Sequence, residues 1–201
     1  MDEKMNLTIV YIDDEVKMQN DAFLDDISDI VEEIRYFEKP VEGLAYVKQH
    51  IDKNIVVILD WKFSSSVIQG TDILKDISEI SVLVPVIVFT GAKIDVGEAN
   101  KMFNGHAFSC ISKDADTATL VNAIHNAYDR ILNDIRSVME KWILKQDEEK
   151  RNRPYMRNGN TIYTLNDILI SIRRQDDLGK ETTRGILSLA TELFTNNMRE
   201  K

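Results

Sequence analysis

The residues best equipped for chemistry stand directly behind apolar runs. Asp13, Asp14 and Glu15 follow Leu7–Ile12, Asp60 follows Ile55–Leu59, Thr90 follows Val86–Phe89, and Lys113 follows Ile111-Ser112. The carboxylates of Asp13, Asp14 and Asp60, held at close range, raise one another's pKa and call for a neutralising charge. A hard divalent cation suits them, and Mg²⁺ commonly takes one or two carboxylates with phosphate oxygens and water around it. Lys113 adds an ammonium and Thr90 a hydroxyl. Such a set could stabilise the equatorial oxygens of a phosphoryl group in transfer. Asp60 is then the candidate nucleophile, forming an acyl phosphate.

For these groups to meet, the elements that carry them must lie side by side. Short apolar runs alternate with longer amphipathic segments, the pattern of an α/β fold with a parallel sheet. "LTIVYI", "EIRYF", "NIVVIL", "VPVIVF" and "AFSCIS" read as five strands. "EIRYF" is mixed in character, as suits an edge, whereas "NIVVIL" does not alternate and reads as buried on both faces. Between the strands, Val16, Phe23, Leu24 and Ile27 mark one helical face. "PVEGLAYVKQH" opens on Pro40, well tolerated in a first helical turn. Ile73, Leu74, Ile77 and Ile80 stripe a third helix, and "GEANKMFNG" belongs to a fourth. The right-handed crossover rule places helices on both faces of a doubly wound sheet. Ligands bind such sheets at the carboxyl ends of the strands, where all of these polar residues stand.

From Thr117 the pattern changes. Leu120, Ile124, Ala127, Ile131, Ile135, Val138 and Trp142 recur at helical spacing with no Gly or Pro to break it, which predicts one long helix. "KRNRPYMRNGN" (Lys150–Asn160) reads as a linker. Thr164 is a candidate N-cap for "LNDILISIRR", with Asp167 at the capping-box position. "QDDLG" reads as a turn before a last helix, "KETTRGILSLATELF". The expected division is residues 1–132 for the α/β part, 133–160 for a helical extension and linker, and 161–201 for a small helical module.

The bulk numbers fit this plan. Hydrophobic content is 43% with 29% charged residues, ordinary for a globular chain. No apolar run reaches transmembrane length, and "MDEKMN" lacks a signal-peptide pattern, so a cytoplasmic protein is expected. One cysteine, Cys110, excludes an intrachain disulfide framework and a Cys-rich zinc site. Placed inside an apolar strand, it reads as a small core residue. His50, His106 and His125 have no metal-ligand spacing. Residues 1–144 carry 14 Lys/Arg against 25 Asp/Glu, and residues 145–201 carry 11 against 9. The acidic portion is poorly suited to nucleic acid.

Taken together, "VYIDDE", "VVILD", "VIVFTG" and "CISK" resemble the signature strand ends of the receiver domain of two-component response regulators, over roughly residues 5–130. The resemblance implies a flavodoxin-like fold in which Asp60 accepts a phosphoryl group from a histidine kinase or histidine phosphotransfer protein. It implies that Asp14 binds Mg²⁺ directly, that Asp13 supports it, and that Asp60 and the backbone carbonyl of Lys62 complete the protein ligands. Thr90 and Lys113 would contact the phosphoryl group and report its arrival. By the same resemblance the chain is a phosphoacceptor signalling protein rather than an enzyme with turnover.

Three departures from the family pattern stand out. Asp114 follows the lysine where the family has proline. Cys110 occupies the position of the aromatic switch residue, with Phe108 nearby. The loop after Asp60 is long and Ser-rich ("FSSSV"). Among other readings, a haloacid-dehalogenase-type phosphohydrolase would need a second Asp two positions after the first, where Glu15 stands. A degenerate receiver serving only as an interaction scaffold is a third reading. For output, two amphipathic helices of this size need a partner for their apolar faces. That predicts switched protein–protein interaction with a downstream protein, or a homodimer along Asn133–Leu144. DNA binding is the alternative output.

Overall fold

The computed structural model describes residues 4–15, 22–64, 67–159 and 161–199. Val16 of the first predicted helical face lies outside them. By internal packing the chain divides into two compact units, one ending at Ile131 and the other beginning at Leu132.

The first unit alternates strand and helix: β1 (Met5–Ile12), α1 (Ala22–Ile30), β2 (Val31–Phe37), α2 (Pro40–Gln49), β3 (Ile55–Leu59), α3 (Gly70–Ile80), β4 (Val86–Thr90), α4 (Val96–Asn104), β5 (Ser109–Ser112) and α5 (Thr117–Asn133). The five strands form one sheet in the order β2-β1-β3-β4-β5, and every pairing is parallel. Side chains alternate across a strand, and two separate cores result. Ile9, Tyr11, Val56, Ile58, Ile87 and Phe89 meet Phe23 and Ile27 of α1 and Leu120, Ile124 and Ala127 of α5. Val10, Ile12, Val57, Leu59, Val86 and Val88 face the other way, with Val47 of α2, Ile73, Leu74 and Ile77 of α3, and Met102 of α4. All five residues of β3 are buried, as its unbroken apolar run requires. The mixed strand β2 lies at the sheet edge.

The edge position of β5 overturns the reading of Cys110 as a core residue. Ile111 is buried there while Cys110, one residue away and on the opposite face, is exposed. Phe108 packs against the first core, with the Arg130 guanidinium 5.6 Å above its ring.

The second unit departs from the predicted single long helix and linker. Periodicity continues past Asn133, but Asp134 adopts an extended conformation and caps a new helix, α6 (Ile135–Leu144), by accepting from the Arg136 N–H. An Asp-capped short helix, α7 (Glu148–Asn152), follows. The expected linker is a β-hairpin of β6 (Pro154–Asn158) and β7 (Thr161–Thr164). Proline is tolerated as the first residue of a strand. At the turn, Gly159 takes a positive φ of 59° that β-carbons disfavour. The Thr164–Asp167 capping box forms at the start of α8 (Leu165–Arg174).

Gln175, with φ of 52°, ends α8 in the left-handed conformation, and α9 (Asp177–Arg199) begins two residues later. The turn is therefore shorter than "QDDLG", and Gly179 belongs to α9. A β-carbon at Gly179 would lie 2.2 Å from the Ser171 carbonyl oxygen, so glycine permits the close crossing of α8 and α9. Met139 and Ile143 of α6 are buried, as are Ile168, Leu169 and Ile172 of α8. A buried ion pair links the two helices, with Arg173 Nε 2.6 Å from Glu140 Oε1. Trp142, read as core or interface, is about half exposed and lies against the Tyr155 ring of the hairpin.

Candidate functional site

Each strand hands its terminal residue to the same edge through backbone hydrogen bonds. The Asp13 N–H donates to the Phe37 carbonyl (3.1 Å), the Asp60 N–H to the Ile12 carbonyl (2.9 Å), and the Lys113 N–H to the Thr90 carbonyl (3.0 Å). The ladder thus continues one step beyond the strands and places all four residues in register. The start of α3 approaches closely here. A β-carbon at Gly70 would sit 2.5 Å from the Asp60 carbonyl oxygen and 2.8 Å from the Trp61 Cα.

The side chains converge as the strand-end rule requires. One carboxylate oxygen from each of Asp13, Asp14 and Asp60 lies within 4.8 Å of the others. Asp13 and Asp60 are buried and Asp14 is half-buried. Lys113 Nζ donates to Asp13 Oδ2 at 2.7 Å and lies 3.6 Å from Asp60 Oδ1 and 3.8 Å from Glu15 Oε2. The Thr90 hydroxyl and the Trp61 N–H stand beside the Asp60 carboxylate and favour its charged form. The Ala92 N–H in turn donates to Thr90 Oγ1 (3.2 Å). Four of the predicted site side chains, Asp13, Asp60, Thr90 and Lys113, therefore form one connected group beside Asp14. The Lys62 side chain points elsewhere, to an ion pair with Glu98.

Several partners escaped the sequence reading. The Tyr11 hydroxyl donates to Asp13 Oδ2 (2.9 Å), and the Glu15 N–H donates to Asp13 Oδ1 (2.9 Å). The Tyr36 hydroxyl is shared between the carbonyls of Asp13 (2.7 Å) and Glu15 (3.0 Å). Asp14 Oδ2 accepts from both the N–H (2.8 Å) and the hydroxyl (2.9 Å) of Ser64, in the Ser-rich loop after Asp60. The same loop is closed by Gln69, whose side-chain amide bonds the N–H and carbonyl of Phe63. Period-2 alternation could have paired Tyr11 with Asp13, because the two residues share a face of the strand. Nothing in the local pattern announces Ser64.

The electrostatics are those of a buried acidic site with one cation. Burial pushes the Asp60 carboxyl above its ordinary range; Lys113 opposes this, and Asp13 adds to it. Burial works against the Lys113 charge, but its hydrogen bond to Asp13 and the charges of Asp13, Asp60 and Glu15 outweigh that and hold the ammonium above its usual range. Burial, together with the charge and hydrogen bond of Asp13, keeps the Tyr11 phenol protonated far beyond neutral pH. The donor set is all oxygen and, with Lys113 counted, two positive charges short of neutral, so it fits a hard divalent cation such as Mg²⁺. Histidine and thiol ligands, which softer metals favour, are absent from the cluster.

Solved structures share this fold. A receiver domain protein from Clostridium thermocellum is 31% identical, with a TM-score of 0.54, over 63% of this chain and 96% of that one. A CheY-like receiver domain protein from Methanospirillum hungatei is 17% identical, with a TM-score of 0.54, over 63% and 95%. NtrX from Brucella abortus, solved in complex with ATP, is 23% identical, with a TM-score of 0.57, over 68% of this chain and 30% of its own. No curated protein sequence matches the chain. Among the described residues, no helix is long and apolar enough to cross a membrane. The family profile described as "Response regulator receiver domain" matches residues 9–125, and with the five-stranded parallel sheet and its acidic edge the chain belongs to the response regulator receiver domain family.

Proposed function

We propose that this chain is a phosphoacceptor of a two-component phosphorelay, with Asp60 taking a phosphoryl group from a histidine kinase or histidine phosphotransfer protein. The observation that carries this reading is the convergence of Asp13, Asp14 and Asp60 with Lys113 within salt-bridge reach. In the transfer, an Asp60 carboxylate oxygen forms a bond to phosphorus. The phosphorus–nitrogen bond of the donor phosphohistidine breaks, and its electron pair returns to the imidazole. Lys113 favours the ionised form of Asp60 against the effect of burial and offers its ammonium to the incoming phosphoryl oxygens. The Thr90 hydroxyl, beside Asp60, would donate to those oxygens once the acyl phosphate forms.

Asp13, Asp14, Asp60 and the Lys62 backbone carbonyl would hold Mg²⁺. When bound, the ion supplies the positive charge that offsets the phosphoryl and carboxylate oxygens. Tyr11, Tyr36 and the Glu15 N–H hold Asp13 in one orientation for that purpose. The modified state is read out as a change in protein–protein interaction through the second unit, residues 132–201. A cytoplasmic setting agrees with this role.

A small-molecule phosphodonor such as acetyl phosphate, supplied with Mg²⁺, should add one phosphoryl group to the wild-type chain by intact mass. Asp60→Ala should abolish the addition, and so should chelation of the metal. A wild-type chain that stays unmodified under these conditions refutes the proposal.

A further inference from the structure

The ammonium of Lys62, two residues beyond Asp60, ion-pairs with Glu98 rather than with Asp60. Its Nζ lies 2.5 Å from Glu98 Oε1. Glu98 is the third residue of α4, and its backbone is fixed by the helix cap, where its N–H donates to Asp95 Oδ1 at 2.8 Å. The geometric contact of the Glu98 carboxylate is thus with the residue two places past Asp60. Trp61 is fully buried in the core beneath α3 and α4. The Glu98 side chain is 18% exposed and that of Lys62 54%. An acid in the first turn of α4 thus holds by charge the flexible side chain two residues past the phosphoacceptor.

We propose that Glu98 is a positioning residue for the phosphoacceptor site: it holds the Lys62 ammonium on α4 and so shortens the life of the acyl phosphate on Asp60. This rests on the phosphoacceptor reading. Lys62 carries a point charge on a flexible four-carbon stem, and a phosphoryl group on Asp60 presents it with a second anion. Loss of the phosphoryl group proceeds by attack of a water oxygen on phosphorus. The bond from phosphorus to the Asp60 oxygen breaks, the water proton passes to solvent, and inorganic phosphate leaves. Charge is spread over the equatorial oxygens during this step. An ammonium resting on those oxygens stabilises the acyl phosphate and obstructs the approach of water. Glu98 withholds that ammonium, leaving Lys113 and Thr90 as the protein groups on the phosphoryl oxygens.

The test loads wild type, Glu98→Gln, Lys62→Ala and the double variant with acetyl phosphate and Mg²⁺, removes the donor, and follows decay by intact mass. Glu98→Gln should lengthen the half-life roughly two- to fivefold, the range that a partly exposed ion pair supplies. In the Lys62→Ala background, Glu98→Gln should change nothing further. An unchanged half-life, or an effect that persists without Lys62, overturns the proposal. A wild type that accepts no phosphoryl group instead overturns the phosphoacceptor reading on which it rests.

Discussion

Removing Glu140 should destabilise the second unit far more than removing its partner Arg173. The pair is buried, with 8% of the Glu140 side chain and 17% of the Arg173 side chain exposed. Arg173 Nη2 is buried without a hydrogen-bond partner, so the guanidinium depends on Glu140 for its compensation. Glu140→Ala would strand a cation that cannot lose its proton, at a cost of about 3–5 kcal/mol. Arg173→Met strands a carboxyl group, which can escape by protonation. Burial already pushes the Glu140 carboxyl above its ordinary range, with Arg173 opposing the rise.

For an acid whose folded pKa lies above its unfolded value, the folded state binds the extra proton in the interval between the two. Stability from this group therefore falls as pH rises through that interval. The fall should steepen in Arg173→Met, where the opposing charge is gone. Glu140→Leu with Arg173→Met removes both charges and should recover wild-type stability or exceed it. Hydrogen exchange of α6 and α8 peptides by mass spectrometry reads this directly, with β1 and β3 peptides as an internal reference. The expected loss of protection in Glu140→Ala is roughly two to four orders of magnitude, at about 1.4 kcal/mol per factor of ten. Equal losses in the two single variants, or a double variant as weak as Glu140→Ala, would refute the reasoning.

Further expectations concern the site and the output. Gly70→Ala should lower thermal stability by an amount corresponding to about 1–3 kcal/mol, because its β-carbon would collide with the Asp60 and Trp61 backbone; an unshifted melt would show that α3 can move freely. Tyr11→Phe should cost about 1.5–3 kcal/mol in urea unfolding, the worth of a hydrogen bond to a charged group, since its buried hydroxyl donates to Asp13. Ser64→Ala should tighten Mg²⁺ binding several-fold by calorimetry, because one donor that competes for Asp14 Oδ2 is gone; weaker binding would mean that the serine aids the ion. The full chain should give no DNA mobility shift that survives near-physiological salt, and a salt-resistant complex would restore DNA binding as the output.

Much of the α/β unit is legible in the sequence because a parallel sheet imposes strong local patterns. Burial on both faces makes "NIVVIL" uniformly apolar, and the strand-end rule then finds Asp13, Asp14, Asp60, Thr90 and Lys113 without any knowledge of contacts. The second unit is less legible for identifiable reasons. The apolar spacing from Leu120 to Trp142 is unbroken, so only the capping chemistry of Asp134 reveals that a helix ends and another starts. The hairpin carries the Asn158-Gly159 pair typical of tight turns, but its strands lack alternation and four of their nine residues are exposed on the first strand alone. Cys110 follows the usual burial preference of its residue type only in the sequence; an edge strand has one face to spare. The grip of Ser64 on Asp14 spans 50 residues, and the Glu98 contact with Lys62 joins the first turn of α4 to the β3–α3 connection. Such contacts leave no periodic trace.

The lone thiol offers a practical handle. Because Cys110 is the only cysteine in the chain and stands exposed on β5, between Ser109 and Ile111 and three residues before Lys113, a maleimide dye or spin label can be attached there without introducing or removing a residue. Burial of its surroundings pushes the thiol above its ordinary pKa, and the thiolate is the reactive form. Coupling will therefore be slow at neutral pH and quicken under mild alkali. A probe so placed would follow the strand that carries Lys113 in real time, in the otherwise native chain.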